Sequence, residues 1–409
     1  MAARPAIVFF ILLLPCSPHF AAHSQTVVRP SGWKVLGEPF PDFVARVTSM
    51  NNVDGRVRAV RTLVKEVETY GRLLREDSSV VFIYSGPAGR VMVPGDLNGW
   101  QPNEDVMTRI EGTDFFYLVK RVDPAARFEY KLMVDSLWIL DPLNHQTALG
   151  GYGPNSEVRM PAYQPSRDVE YRESISHGKL DTLEFTSPLL GQTHPVFVYL
   201  PAGYTPTASP LPTVFVADGG EYLSLGLMNN VLDNLIADGR IPPTIGVFVD
   251  PRTDLRDSRT SKRMTEYALS DAFVAFLTEE LRPDLLRRYR IATAPQQCAM
   301  LGASLGGLIS TYAAFRRPDV FGLCAAQSPA YQFMEDSIFT VIGMGDRKPI
   351  RIYVDTGTIR DAEVGARRMK NLLASKGYTV RYQEFPEAHN WVNWRARLAD
   401  ILMYFWGTP

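Results

Sequence analysis

Hydrophobic residues follow two different patterns along this chain. In the first part, Gly, Pro, Asn and Asp residues separate four short apolar runs, at 80–84, 90–94, 115–119 and 128–134. Short runs at such spacing are typical of the strands of a β-sandwich. From about residue 176 onwards, Val-rich apolar runs alternate with helical segments, which favours a mostly parallel sheet with helices on both faces. We therefore predict an all-β domain over 78–162, followed by an α/β domain over 176–409.

The segments before and between these domains have patterns of their own. Apolar residues three and four apart in 57–67 predict a helix, within an N-terminal helical extension that we place at 25–77. Residues 163–175 contain Pro165 and several charges, and they predict a linker between the two domains.

The first 24 residues are typical of a secretory signal peptide. Arg4 precedes an apolar run over 6–14, and the small residues around Ala22 and Ser24 fit a cleavage site before Gln25. The run is much shorter than the roughly 20 apolar residues that a membrane-spanning helix needs. We therefore expect the protein to be exported, either to the periplasm or out of the cell, without a membrane span.

Composition bears on the class of partner and cofactor. The 409 residues include 43 Lys and Arg and 44 Asp and Glu, so the formal net charge of −1 gives no support for nucleic-acid binding. Cys298 and Cys324, the cysteines outside the signal peptide, lie in apolar runs, so we expect buried thiols; a disulfide between them is the alternative. No His, Cys and carboxylate residues recur at metal-ligand spacing, so we expect neither a metal nor another cofactor.

A candidate nucleophile lies in the segment Gly302-Ala-Ser304-Leu-Gly306. A short apolar run precedes this segment, and small and apolar residues continue after it as a predicted helix. Strand, sharp turn and helix around Gly-x-Ser-x-Gly form the nucleophile elbow of an α/β-hydrolase, where the glycines let strand and helix approach closely. We predict Ser304 as the nucleophile and the backbone amide of Leu305 as one donor to an oxyanion.

The residues that follow the elbow include candidates for the base and the acid of a catalytic triad. His389 is the only histidine after Ser304 in the sequence, and it lies between a predicted strand and the predicted terminal helix, where this fold carries its base. The acid should follow the preceding strand, and Asp361 is favoured because it lies just beyond a glycine turn and before a predicted helix. Asp355 and Glu363 stay open as alternatives.

A second oxyanion donor is expected in the loop after an early strand of the α/β domain. Residues 216–222 fit, because an apolar strand-like run ends there in Asp218-Gly219-Gly220. Glycines let the backbone come close to a substrate. We predict the amides of Gly219 and Gly220 as donors, and an ordinary strand-ending turn is the alternative.

Five short motifs in the second half of the chain form a set: YLPAGY at 199–204, DGGE at 218–221, RMTEY at 263–267, GASLG at 302–306 and PEAHNW at 386–391. Together they resemble the esterase-D-type α/β-hydrolases, most closely the enterochelin esterases and related feruloyl esterases, over about residues 176–408. The resemblance implies Ser304 as nucleophile and His389 as base. It also implies substrate-binding candidates around the site: Asp218, Glu221, Tyr222, Arg263 and Trp391. Cytosolic members of this family lack a signal peptide, so the expected export leaves both periplasmic siderophore processing and cleavage of plant phenolic esters open.

The all-β domain contains the motifs VPGDLNGW at 93–100 and YKLMVDSLWILDP at 130–142. Over about 78–160 these motifs resemble the immunoglobulin-like modules of glycogen-binding and starch-branching proteins. In such modules exposed tryptophans can stack on sugar rings, so Trp100 and Trp138 are candidates for a carbohydrate platform. Such large apolar side chains are usually buried, however, and we expect both rings to be core or interdomain residues.

Together these observations predict an exported serine carboxylic ester hydrolase that works through an acyl-enzyme. The expected partner is a small-molecule or saccharide ester, either of the siderophore type or with a phenolic or sugar component. An acyltransferase similar to mycolyltransferases, in which a sugar hydroxyl replaces water, is the main alternative. A carbohydrate-binding protein with an inactive hydrolase domain is a second alternative.

Overall fold

The computed structural model describes residues 37–407 except 72, 77 and 208. The predicted signal peptide, with its cleavage site before Gln25, lies outside the described residues. Within the described part of the chain, no helix is both long enough and apolar enough to cross a membrane.

The first half of the described chain forms two helices followed by short antiparallel strands. We call residues 40–159 the N-terminal module. Its helices are α1 (Phe40–Thr48) and α2 (Val53–Tyr70). Its strands are β1 (Leu74–Glu76), β2 (Ser79–Ser85), β3 (Val91–Met92), β4 (Thr108–Arg109), β5 (Phe115–Arg121), β6 (Arg127–Tyr130), β7 (Leu132–Val134), β8 (Leu137–Ile139), β9 (Thr147–Gly150) and β10 (Gly153–Arg159).

Strand β2 is buried on both of its faces. It belongs to a sheet with the order β1-β2-β5-β4. Val81 and Ile83 pack with the apolar faces of α1 and α2. Val80 and Phe82 point the other way and pack with β3, β6, β7 and β10, from two three-stranded sheets. Because both faces are covered, this strand is apolar at nearly every position. That residues 78–162 form a β-sandwich of the immunoglobulin-like class stays a prediction.

Trp100 and Trp138 lie outside these cores. Trp138 stands in β8, at the edge of the sheet β3-β7-β8, and is 44% exposed. Trp100 is half-buried, and its indole N–H donates a hydrogen bond to the Asp96 carboxylate at 3.0 Å. The expectation of a core or interdomain residue is therefore wrong for Trp138, because neither face of β8 is covered there: the adjacent Leu137, which points to the other face, is also exposed.

The second half of the described chain forms an eight-stranded sheet covered by helices. The strands are β11 (Lys179–Ser187), β12 (Gln192–Leu200), β13 (Thr213–Ala217), β14 (Ile245–Val249), β15 (Cys298–Ala303), β16 (Leu323–Gln327), β17 (Arg351–Ile359) and β18 (Val380–Ala388). The helices are α3 (Gly219–Ser224), α4 (Met228–Ala237), α5 (Arg263–Glu266), α6 (Asp271–Ala275), α7 (Arg282–Arg288), α8 (Leu305–Arg316), α9 (Ser337–Met344), α10 (Glu363–Ser375) and α11 (Trp391–Trp406).

This sheet has the order β11-β12-β14-β13-β15-β16-β17-β18, and all pairs from β14 to β18 are parallel. Alternate residues enter two cores: Phe215 and Met300 pack on one side, and Val216 and Leu301 on the other. The predicted mostly parallel sheet with helices on both faces is therefore confirmed. Because the carboxyl ends of parallel strands meet at one edge, the loops after β13, β15, β16, β17 and β18 converge there.

Two cysteines lie in the centre of this sheet. Cys298 begins β15 and Cys324 is part of the neighbouring β16; both are buried and both are free thiols. The expectation of buried thiols is confirmed, and the alternative of a disulfide between them is excluded.

The segment between the two halves has turns but no helix or strand over 163–175. It nevertheless packs along α4. The side-chain amide of Asn234 donates to the carbonyl oxygens of Asp168 and Glu170, each at 2.8 Å, and that of Asn230 donates to Val169 at 3.0 Å. The predicted linker is therefore fixed to the second domain by its backbone.

Candidate active site

Ser304 stands in a strained turn between β15 and α8. Its φ of 59° and ψ of −122° are rare for a residue with a side chain. A Cβ atom on Gly302 would lie 2.4 Å from the carbonyl oxygen of Gly306, so the strand and the helix can approach this closely only with glycine at 302. The Ser304 N–H donates to the Gln327 carbonyl oxygen at 2.9 Å, which ties the turn to β16. The structure thus has a strand, a sharp turn and a helix where the sequence predicts them.

His389 and Asp361 are in direct contact at the same edge of the sheet. The Nδ1 atom of His389 lies 2.6 Å from Oδ1 of Asp361. The other carboxylate oxygen, Oδ2, accepts hydrogen bonds from the Gly357 N–H at 2.6 Å and from the Ser328 hydroxyl at 2.5 Å. The Asp361 side chain has no exposed surface, whereas the His389 side chain is 40% exposed. A buried, fully hydrogen-bonded carboxylate therefore orients a solvent-accessible imidazole, whose Nε2 points away from that carboxylate.

Asp355 and Glu363 have other surroundings. Asp355 is completely buried in β17, where it accepts a hydrogen bond from the Gln327 side-chain amide at 3.3 Å. Burial raises the pKa of Asp355 to about 8. Glu363 begins helix α10, beyond Asp361. Of the three carboxylates that the sequence left open, Asp361 is the one that the structure brings to His389.

Arg263 and Asp218 form an ion pair close to Ser304 in the chain fold. The guanidinium Nε of Arg263 donates to Asp218 Oδ1 at 2.8 Å, and its Nη2 donates to the Ala303 carbonyl oxygen at 3.1 Å. Burial raises the pKa of Asp218, and the charge of Arg263 opposes that rise. The pair thus joins the loop after β13 to the last residue of β15, one position before Ser304.

Gly219 and Gly220, the predicted oxyanion donors, differ in their contacts. The Gly220 N–H donates to Asp250 Oδ2 at 2.9 Å, so this amide already has an acceptor and the prediction for Gly220 is not supported. Gly219 is the first residue of α3, as Leu305 is of α8. Amides at the first helical position have no acceptor within their helix, so both can donate to a substrate.

The remaining substrate-binding candidates fall into two groups. Glu221 is half-buried, and burial raises its pKa. Tyr222 is completely buried, its hydroxyl donates to Gln327 Oε1 at 2.9 Å, and its ring packs edge-on against Trp391. Trp391 itself is only 7% exposed and packs against Trp394. Both rings therefore pack in the core, so this structure gives no support for contact of Tyr222 or Trp391 with substrate, and these two roles stay predictions.

Ser328, which follows β16, is a further residue at this site that was not among those predicted from the sequence. Its φ is 39°, its hydroxyl donates to Asp361, and the same oxygen accepts the indole N–H of Trp394 at 3.0 Å. A signal was available, because the polar pair Gln327-Ser328 directly follows an apolar strand at the edge where the other candidates lie. Within the residues that the structure describes, no group of three or more His, Cys, Asp or Glu side chains could hold a metal ion.

The model of the family described as "Putative esterase" matches residues 187–405, which is more than half of the chain. The chain therefore belongs to this esterase family.

Two curated relatives of this chain have names that include an esterase. An endo-1,4-beta-xylanase/feruloyl esterase of Xylanibacter ruminicola is 27% identical over 292 residues, which cover 68% of this chain and 38% of that protein. An iron(III) enterobactin esterase of Dickeya dadantii is 26% identical over 286 residues, which cover 64% of this chain and 63% of that protein. This chain thus spans less than two thirds of the length of either relative.

The ferric enterobactin esterase of Salmonella typhimurium has a similar fold, with a TM-score of 0.69 and 20% identity. The match covers 82% of this chain and 96% of that chain, so it includes part of the N-terminal module as well as the α/β domain. An enterobactin esterase of Shigella flexneri has the same TM-score at 21% identity, over 82% of this chain and 95% of its own. The predicted resemblance to enterochelin and feruloyl esterases is confirmed.

Proposed function

We propose that this protein is a serine carboxylic ester hydrolase that works through an acyl-enzyme. The observation that carries the proposal is the 2.6 Å contact between His389 Nδ1 and Asp361 Oδ1, at the same sheet edge as the strained turn of Ser304. A nucleophile, a base and a carboxylate that orients the base are what ester cleavage by serine requires. Membership of the esterase family supports the same reaction.

In the acylation step, Ser304 Oγ bonds to the carbonyl carbon of the ester, and Nε2 of His389 takes the hydroxyl proton. The Asp361 carboxylate stabilises the imidazolium that forms. The oxyanion accepts hydrogen bonds from the backbone amides of Leu305 and Gly219. When the tetrahedral intermediate collapses, the ester C–O bond breaks, and His389 returns the proton to the departing alcohol.

In the deacylation step, a water molecule takes the place of that alcohol. His389 accepts a proton from the water, the hydroxide bonds to the acyl carbon, and the bond to Ser304 Oγ breaks with return of the proton to Ser304. The carboxylic acid leaves, and the enzyme is restored.

The proposed substrates are small esters of the siderophore type, or esters with a phenolic or sugar component. The names of the relatives, an enterobactin esterase and a feruloyl esterase, support these two classes. The signal-peptide pattern of the first 24 residues supports export of the enzyme, which fractionation of cells that express the full chain would test.

Fluorophosphonate labelling and ester hydrolysis test the proposed reaction together. The probe should modify Ser304, which mass spectrometry of the labelled peptide would locate. Turnover of aryl, feruloyl, acetyl-sugar and catecholate-lactone esters should identify the preferred class. Replacement S304A should lower turnover of the best ester by about a million-fold, as in other serine hydrolases, with unchanged thermal unfolding.

Two outcomes would contradict the proposal. Rapid hydrolysis by folded S304A would exclude Ser304 as the nucleophile, and absence of both labelling and turnover in the wild type would favour a carbohydrate-binding protein with an inactive hydrolase domain. Transfer of the acyl group to an added sugar, in preference to water, would instead identify an acyltransferase.

A further inference from the structure

Asn390, the residue after His389, is bound by the N-terminal module. Its side-chain oxygen accepts a hydrogen bond from Nη1 of Arg127 at 2.8 Å, and its side-chain amide donates to Asp96 Oδ2 at 3.1 Å. The same oxygen accepts the Asn393 N–H at 3.2 Å, so Asn390 also caps the N-terminus of α11. One side chain therefore links the loop of the candidate base to the start of the last helix and to a separate module.

The group that holds Asn390 is part of a buried ionic network. Arg127 has no exposed surface, and it forms ion pairs with Glu129 at 2.8 Å and with Glu157 at 2.7 Å. Burial acts to lower the pKa of the Arg127 guanidinium, but the two carboxylates more than reverse this and raise it. A charged guanidinium between two buried carboxylates has few alternative positions, because moving it would leave buried charges unpaired. Asn390 is therefore held by a fixed donor.

Arg360, the residue before Asp361, is bound by the same module. Its Nε donates to the Leu97 carbonyl oxygen at 3.1 Å, and its Nη2 lies 3.1 Å from a carboxylate oxygen of Glu104. The φ of Arg360 is 47°, a left-handed conformation that a residue with a side chain adopts at a cost. The contacts of the guanidinium help to hold the backbone of Arg360 in this conformation. That conformation in turn sets the direction in which the side chain of the next residue, Asp361, projects.

We propose that the N-terminal module positions the acid and the base of the triad, with Asn390 and Arg360 as the positioning residues. The inference rests on the roles proposed for His389 and Asp361. Each of these side chains is one residue away from a side chain that the module binds, on loops that follow two neighbouring strands. Catalytic groups must be held to within a fraction of an ångström, and a displacement of about 1 Å can lower a rate about 100-fold.

Two variants remove the contacts without touching the triad itself. In N390S the shorter side chain can still cap α11, because serine is as good a cap as asparagine, but it loses Arg127 and Asp96. R360A removes the contacts of the exposed guanidinium with Leu97 and Glu104.

R367A is the matched control, since Arg367 pairs with Glu384 inside the second domain. With p-nitrophenyl acetate, we expect kcat to fall roughly 10- to 100-fold in N390S and less in R360A, while KM stays within about twofold of wild type and R367A retains full activity.

A spectroscopic readout separates positioning from general damage. The proton between His389 Nδ1 and Asp361 Oδ1, atoms 2.6 Å apart, should give a proton NMR resonance far downfield of the amide protons in the wild type. This resonance should weaken or disappear in N390S and R360A, with cooperative thermal unfolding preserved. It should be unchanged in R367A.

Three outcomes would overturn the proposal: kcat within twofold of wild type in both variants, a fall in kcat with the downfield resonance intact, or an equal effect of R367A. If N390S does not fold, R360A decides alone. If wild-type protein hydrolyses no ester, the proposed function fails, and the resonance in the same variants still tests whether the module positions the His389–Asp361 pair.

Discussion

The turn that carries Ser304 and the loops that carry Asp361 and His389, the three proposed catalytic residues, are held in different ways. Ser304 lies between a strand in which every residue is buried and a helix whose first eleven residues are buried. Asp361 and His389 lie on loops after β17 and β18, the last two strands of the sheet, beside residues bound to the N-terminal module. Ser304 is thus placed by adjacent residues of one strand and one helix, whereas the loops of Asp361 and His389 also contact parts of the chain that are more than 250 residues away.

The largest effect on the acid–base side should come from D361N. The amide cannot stabilise the imidazolium and favours the wrong tautomer of His389, so we expect turnover to fall about ten-thousand-fold, as in other serine triads. Steady-state kinetics on the preferred ester would measure this loss. D355N is the control and should keep turnover within a few-fold of wild type. A larger loss in D355N than in D361N would show that the wrong carboxylate has been chosen.

G302A should destabilise the contact between β15 and α8 that forms the turn at Ser304. The new Cβ would lie 2.4 Å from the Gly306 carbonyl oxygen, so the strand and the helix must separate. Such overpacking lowers the free energy of unfolding by about 1–3 kcal/mol or more, which urea denaturation would measure. G343A in α9 is the matched control, because its Cβ would meet only Leu372 at 3.9 Å. Equal effects of the two substitutions would contradict this account of the elbow.

The buried carboxyl below the site should make stability depend on pH. Burial raises the pKa of Asp355 to about 8, from an ordinary value near 4. Between these values the folded state binds more protons than the unfolded state, so this group lowers the free energy of unfolding as pH rises from about 4 to 8. D355N should therefore gain stability relative to wild type across this range, by at most about 1.4 kcal/mol per pH unit. Urea denaturation at pH 5, 6, 7 and 8 would detect the trend, and a constant difference would refute it.

The smallest effect is expected at Trp138, on the edge of the N-terminal module. Because the ring is 44% exposed, W138A should lower the free energy of unfolding by less than about 1 kcal/mol. The control F82A removes a side chain that is only 1% exposed and should cost about 3–5 kcal/mol. Gels that contain soluble glucan test the other role of the ring. Retardation of wild-type protein, lost in W138A, would assign Trp138 to carbohydrate binding.

Local patterns in the sequence were sufficient to predict the parallel strands and the turn that carries Ser304. The Val-rich runs predicted the parallel strands because strands buried on both faces need apolar side chains at nearly every position. The Gly-x-Ser-x-Gly segment predicted the turn at Ser304, since the residues that build it are adjacent in the chain. Asp361 and His389 were identified from their order relative to the strands, and the sequence still left Asp355 and Glu363 open.

Contacts between distant segments could not be predicted in the same way. The sequence presents the Gly220 amide as available to a substrate, but in the structure it donates to Asp250, the residue directly after β14. Tyr222 and Trp391 stand beside catalytic motifs in sequence, although the structure turns both rings into the core. Ser328 and Asn390 lie beside predicted strands and motifs in the sequence, but only the folded chain shows that Ser328 contacts Asp361 and that Asn390 contacts the N-terminal module.

The two free thiols at the centre of the sheet have a practical consequence. Burial raises the pKa of both Cys298 and Cys324 to about 12, and only the thiolate reacts with alkylating reagents. Neither can be alkylated until β15 or β16 leaves the sheet. The rate at which maleimide modifies Cys298 under native conditions therefore measures how often β15, the strand that ends just before Ser304, leaves the sheet.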